Sequence, residues 1–69
     1  MELIIELEQE EDGRWIAEIP AMPGVMAYGE TRDMALRTVE ALALRVFADR
    51  LEHHEIELEP VVVSFLVAA

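Results

Sequence analysis

The sequence contains no cysteine, no lysine and no asparagine, and it has a single serine and a single glutamine. Without cysteine there are no disulfides, no thiolate metal centres and no cysteine nucleophile. Ser64, the lone serine, sits in an apolar stretch with no histidine near it in sequence, so a serine hydrolase triad is not expected. Basic residues are scarce: five arginines against 15 acidic residues give a formal net charge of −10 over 69 residues. A chain this acidic is repelled by phosphates and has no counterions to release, so neither nucleic acid nor an anionic membrane is an expected partner. The charge suits a basic partner instead. Long hydrophobic runs are missing too. The apolar tail from Val61 to Ala69 is nine residues long, whereas a membrane-spanning helix needs about 20. The first residues, Met1-Glu2-Leu3-Ile4-Ile5-Glu6, carry no basic segment, so no targeting signal is expected and the cytoplasm is the expected compartment.

Apolar residues nevertheless make up 54% of the chain, which is not the composition of a disordered acidic tail. The length allows one domain, residues 1 to 69. A domain of this size buries only about 60% of its unfolded surface, so it needs very regular packing or a partner. A homo-oligomer, most simply a dimer, is therefore expected.

Residues 2 to 9 alternate, with Leu3, Ile5 and Leu7 on one side and Glu2, Glu6 and Glu8 on the other, which reads as a strand. A second strand is read at 14 to 19. A two-residue Asp-Gly turn between them would pair Leu7 with Glu18 and mix the faces. A three-residue loop pairs Leu7 with Ala17 and Ile5 with Ile19 and keeps one face apolar, and Gly13 supplies its left-handed residue. The loop Pro20-Ala21-Met22-Pro23-Gly24 leads to a short strand from Val25 to Gly29. Thr31 reads as an N-cap, with Asp33 in the first turn, for a helix over about 32 to 53. Its apolar stripe is Ala35, Val39, Leu42, Ala43, Val46, Phe47 and Leu51. Residues 55 to 60 connect to a last strand, Val61 to Val67. The fold class is α+β: a β-β-β-α-β two-layer sandwich with one long helix on a four-stranded mixed sheet. A right-handed crossover places the last strand parallel to the first, in order 3-2-1-4, a layout that looks like a truncated ribonuclease H core.

One helix covers one face of such a sheet. The open face is expected to carry Glu6, Glu8 and Glu18, with Glu6 directly opposite Glu18 and Glu10 opposite Arg14. Facing like charges destabilise a hairpin, and an arginine or lysine from a partner would relieve them. Ordinary alternation with a solvated polar face accounts for the same residues. The last strand is apolar on both parities, as in a strand buried on both sides. Ile4, Ile16, Val62 and Leu66 are thus expected to form an oligomer interface with a glutamate rim, against the alternative of scattered exposed apolar side chains.

No residue set compels chemistry. His53-His54 with Glu55 and Glu57 suggests a metal cluster on paper, but adjacent helical side chains point about 100° apart. A ribonuclease H layout raises metal catalysis by carboxylates, which needs several acids converging on two cations. Glu6, Glu8 and Glu18 lie on suitable elements, yet only Arg14 is near to hold a polyanion. No phosphate loop occurs, since Gly13, Gly24 and Gly29 are isolated turn glycines beside strand ends. Trp15 and Phe47 read as core. No catalytic residue, metal or cofactor is expected.

Residues 12 to 41 carry a family resemblance. Asp12-Gly13-Arg14-Trp15, then Pro20-Ala21-Met22-Pro23-Gly24, then Gly29-Glu30-Thr31, then Ala35-Leu36 resemble the HicB-like antitoxin family. That family shows an Asp-Gly hairpin followed by a bulky residue, a Pro-x-Leu-Pro-Gly loop, a Gly-x-Thr helix start and an alanine-rich helix. Met22 stands in place of the leucine, and Met34 where an acid often precedes the alanine. Many members append a DNA-binding domain, which is not expected here. The resemblance implies a partial ribonuclease H-like fold, often oligomeric. It also implies a non-catalytic type II antitoxin that masks a small basic ribonuclease toxin of the HicA type. The alternatives are an orphan oligomeric domain or a degenerate ribonuclease H-like metal-binding enzyme.

Overall fold

The computed structural model describes residues 1–54 and 61–68. The elements follow the order β1 (Glu2–Gln9), β2 (Trp15–Glu18), β3 (Met26–Gly29), α1 (Arg32–Glu52) and β4 (Ser64–Val67). The four strands form one sheet in the order β3-β2-β1-β4. The pairs β1–β2 and β2–β3 are antiparallel, and β4 runs parallel to β1. This is the α+β architecture and strand order that the sequence predicts.

The hairpin register is the one that keeps the faces apart. Leu7 faces Ala17 and Glu6 faces Glu18. The loop is closed by Glu10 N–H to Arg14 O at 2.7 Å and Gly13 N–H to Glu10 O at 3.0 Å, with Gly13 at φ 92°. The Pro-Gly loop consists of two successive turns, each with proline in its second position. Met22 N–H donates to Ile19 O and Val25 N–H to Met22 O, both at 2.9 Å. The fixed φ of Pro20 and Pro23 suits that position, and Gly24, at φ 88°, takes the positive φ that a type II turn needs after its proline. Between the two turns Met22 drops its side chain into the core.

Thr31 caps α1: its Oγ1 accepts from Met34 N–H at 3.1 Å, and Asp33 follows in the first turn. A cap of this kind is worth about 1 kcal/mol. The helix buries Ala35, Val39, Ala43 and Phe47. Leu36, Leu42 and Val46 pack beside them half-buried. Leu51, read as part of the stripe, is also only half-buried, because the core ends at Phe47 and the last turn runs past it.

The helix does not lie centrally on the sheet. It packs mainly on β3, then β2, less on β1 and least on β4. The small side chains of Ala17 and Ala27 let it approach there, while Leu3 and Ile5 fill the β1 side. Phe65 and Val67 on the inner face of β4, and Val63 just before it, are consequently only half-buried.

β4 is shorter than the expected strand from Val61. Ser64 N–H donates to Met1 O at 2.9 Å, and the Met1 amine donates to Val62 O at 2.7 Å. The ladder closes at Met1, and residues 61 to 63 run on beyond it. β2 and β3 are likewise trimmed at Arg14, Ile19 and Val25, whose backbone bonds belong to the turns. No helix among the described residues is long and apolar enough to cross a membrane.

Candidate functional site

The sheet face opposite α1 is open, and its rows follow from the register. One row runs Glu6–Glu18–Met26, the next Glu8–Ile16–Tyr28, and on the other side Ile4 stands beside Leu66 and Glu2 beside Ser64. Glu6, Glu8 and Glu18 are all exposed. With Glu10, Ile16 and Ala68 they line a shallow depression of about 450 Å³. The three glutamates singled out in the sequence thus share one concave surface, two of them directly paired. Glu10 joins them, a residue the sequence reading used only as a counterpart for Arg14.

That counterpart role is not what the structure shows. Glu10 and Arg14 are backbone partners, but the Arg14 guanidinium turns to Asp12. Its Nε donates to Asp12 Oδ2 at 2.8 Å, and the Arg14 backbone N–H donates to Asp12 Oδ1 at 3.0 Å. On its other side the guanidinium lies 5.1 Å from the Tyr28 ring centroid, within cation–π range. Asp12 is two residues from Arg14, so the local ring closes with little loss of chain entropy. Arg14 is the only base in residues 1 to 31, against eight acids there. With its charge committed to Asp12, the depression has no internal cation.

The Arg14 backbone N–H, and after it the Arg14 side chain, hold the Asp12 carboxyl below the usual carboxylate range. A carboxylate depressed in the folded state stabilises the fold at every pH above its unfolded value. That contribution fades as pH falls through the lower folded value. NMR titration of the full chain is expected to show Asp12 titrating below its value in an unfolded peptide. Asp12→Asn should remove that share of the acid sensitivity. An Asp12 that titrates like the peptide would overturn the assignment of its partner.

The four apolar residues expected at an interface are not contiguous. Ile4 and Leu66 are neighbours, 47% and 52% exposed, and Val62 lies four residues before Leu66 at 73%. Ile16 is half-buried and lies beyond the Glu6–Glu18 row, beside Tyr28. The acidic row divides the open face into an apolar β1–β4 corner and a second patch with Met26 and Tyr28, both exposed. The parity of the third strand is the sequence signal that marks those two residues.

Of the structural motif, Gly13 and Gly24 take positive φ, Thr31 caps the helix, and Ala35 is buried. Trp15 is half-buried against the core. Among the described residues no three His, Asp or Glu side chains lie close enough to hold a metal ion. Glu55 and Glu57, the paper partners of His53-His54, lie outside the described residues. His53 Nδ1 sits 2.7 Å from Asp49 O and 3.3 Å from an Asp49 carboxylate oxygen, within its own helix end.

No family model matches the chain, and no solved structure matches it. A curated protein of Thermoplasma acidophilum, "UPF0150 protein Ta0767", is 30% identical over 54 residues, which is 78% of this chain and 77% of that one. The matched length spans most of both chains. The chain belongs to the UPF0150 family, which is the HicB-like family.

Proposed function

We propose that this chain is a type II antitoxin that works by masking: its open sheet face binds a small basic ribonuclease toxin of the HicA type and covers the surface with which that toxin engages RNA. The observation that carries the reading is the paired Glu6 and Glu18 on an exposed face, where Arg14, the one base of the first three strands and their turns, is already held by Asp12. A surface that must bind RNA presents cations. A concave row of carboxylates without an internal cation competes for those cations by the electrostatics that would attract phosphates. Such complementarity speeds encounter and suppresses acidic partners, and salt weakens it. Family membership supports this choice of toxin class, and the acidic face supports this mode of binding. The role needs no chemistry from this chain.

The test is direct. A small basic protein encoded in the neighbouring reading frame is expected to co-purify with this chain at low salt and to dissociate as salt rises. Its cleavage of RNA should stop when this chain is added in equimolar amount. No binding at low salt, or binding that leaves RNA cleavage intact, would overturn the proposal and leave the chain as a stand-alone oligomeric domain.

A further inference from the structure

Among the described residues β4 is an edge strand, of unusual composition for that position. Edge strands in natural sheets are guarded by charge, proline or a bulge, because their unpaired backbone groups recruit other strands. From Val61 to Ala68 there is no charge, no proline and no glycine, in a chain that is otherwise strongly acidic. Its β-branched and aromatic residues favour strand pairing. The other edge, β3, is only Met26–Gly29, has the Pro23-Gly24 turn just before it, and lies under the helix.

The ladder fixes which backbone groups face outward. Ser64 and Ala68 donate to β1, and Val62 accepts from Met1. In a parallel ladder these roles alternate along the strand, so Leu66 belongs with them. The N–H and C=O groups of Val63, Phe65 and Val67 therefore point to the edge of the sheet. The same three residues carry the half-buried side chains that the offset helix leaves partly uncovered.

We infer that two copies of this chain join edge to edge through antiparallel pairing of β4, making one eight-stranded sheet. The occupant follows from symmetry and charge. Two-fold pairing about a residue always sets residues of the same parity opposite each other, so inner-facing side chains meet inner-facing ones and both apolar faces of β4 are matched. The register that pairs Val63, Phe65 and Val67 entirely among themselves centres on Phe65, with Val63 opposite the partner's Val67. A basic partner finds no counter-charge on β4. A second copy finds an uncharged strand, the place where two chains of −10 approach without setting like charges together. The axis stands perpendicular to the sheet, so both helices lie on one side and both acidic depressions on the other. The pairing uses no residue of the acidic row and stands or falls independently of the toxin reading.

Amide hydrogen exchange on the full chain, followed across protein concentration with light scattering, tests this. In dilute solution the Phe65 and Val67 amides should exchange fast while Leu66 is protected. As the mass doubles, both should become protected. Val67→Pro removes an outward N–H and keeps the bonds of Leu66 and Ala68 to β1. It is expected to lose the dimer mass while circular dichroism stays unchanged. Leu66→Lys, on the open face, should leave the dimer intact. A chain that is monomeric at all concentrations overturns the inference. So does a dimer whose Phe65 and Val67 amides stay unprotected, or one lost in Leu66→Lys and kept in Val67→Pro. If Val67→Pro fails to fold, the exchange pattern of the unaltered chain decides.

Discussion

Gly29→Ala is expected to destabilise the domain by about 3 kcal/mol, the upper end of the usual cost of overpacking. A Cβ at Gly29 would meet the Ala35 backbone, with Ala35 Cα and the Met34 carbonyl carbon each at 2.9 Å. These are backbone atoms of the first helical turn, so no side chain can rotate out of the way. Either α1 lifts from β3 or the strand end bends, and both disturb the contact that seats Ala35, which is fully buried. A domain of this size has a total stability of about 3 to 10 kcal/mol, so the loss is a large share of the whole. The measurement is thermal or urea unfolding followed by circular dichroism. The informative control is Gly24→Ala. An added Cβ there meets nothing within 4 Å, but φ is 88°, so the expected loss is that of backbone strain, about 1 to 2 kcal/mol. An equal or larger loss at Gly24 than at Gly29 would show that the close approach of α1 to β3 is not what the glycine serves.

Gly29 also marks where sequence reading stops. It reads there as a turn glycine at a strand end, like Gly13 and Gly24. In the fold it lacks their positive φ and is a packing glycine instead. The difference lies in a contact between strand and helix, which no local pattern encodes. The hairpin register, by contrast, was legible because a one-residue slip moves every side chain to the wrong face. Leu7, Ala17 and Ile19 permit one loop length only. The strand order was legible because crossover handedness leaves few choices. The offset of α1 was not, since it depends on the volumes of Ala17 and Ala27 against Leu3 and Ile5 across three strands. For the acidic face, alternation gave Glu6, Glu8 and Glu18. The commitment of Arg14 to Asp12 was hidden, because Glu10 is its strand partner and Asp12 only its neighbour in the turn. The break in the apolar patch was hidden for a related reason: it needs the row Glu6–Glu18–Met26, which requires two registers at once.

Glu6→Gln and Glu18→Gln are expected to move stability and binding in opposite directions. The two carboxylates are direct cross-strand partners on an exposed face, and like charges so placed oppose pairing by about 0.2 to 1 kcal/mol. Removing either charge with an isosteric amide should therefore raise the unfolding free energy by a few tenths of a kcal/mol, at roughly the same value for either single variant. The second neutralisation adds little, because the repulsion is already gone after the first, and this non-additivity identifies a pair rather than two independent sites. For a basic partner the expectation reverses. The double variant should bind about 100-fold more weakly, or about 3 kcal/mol, since desolvated cations on the partner lose their counter-charges. The readouts are urea unfolding of the free chain and calorimetric titration with the basic partner, at low and raised salt. More stable variants with undiminished affinity would mean that the row is ordinary strand alternation facing water. Less stable variants would mean that the pair is relieved within the chain, which the commitment of Arg14 to Asp12 argues against. A gain in stability together with a loss in affinity is the signature of a strained charge pair whose relief comes from another molecule.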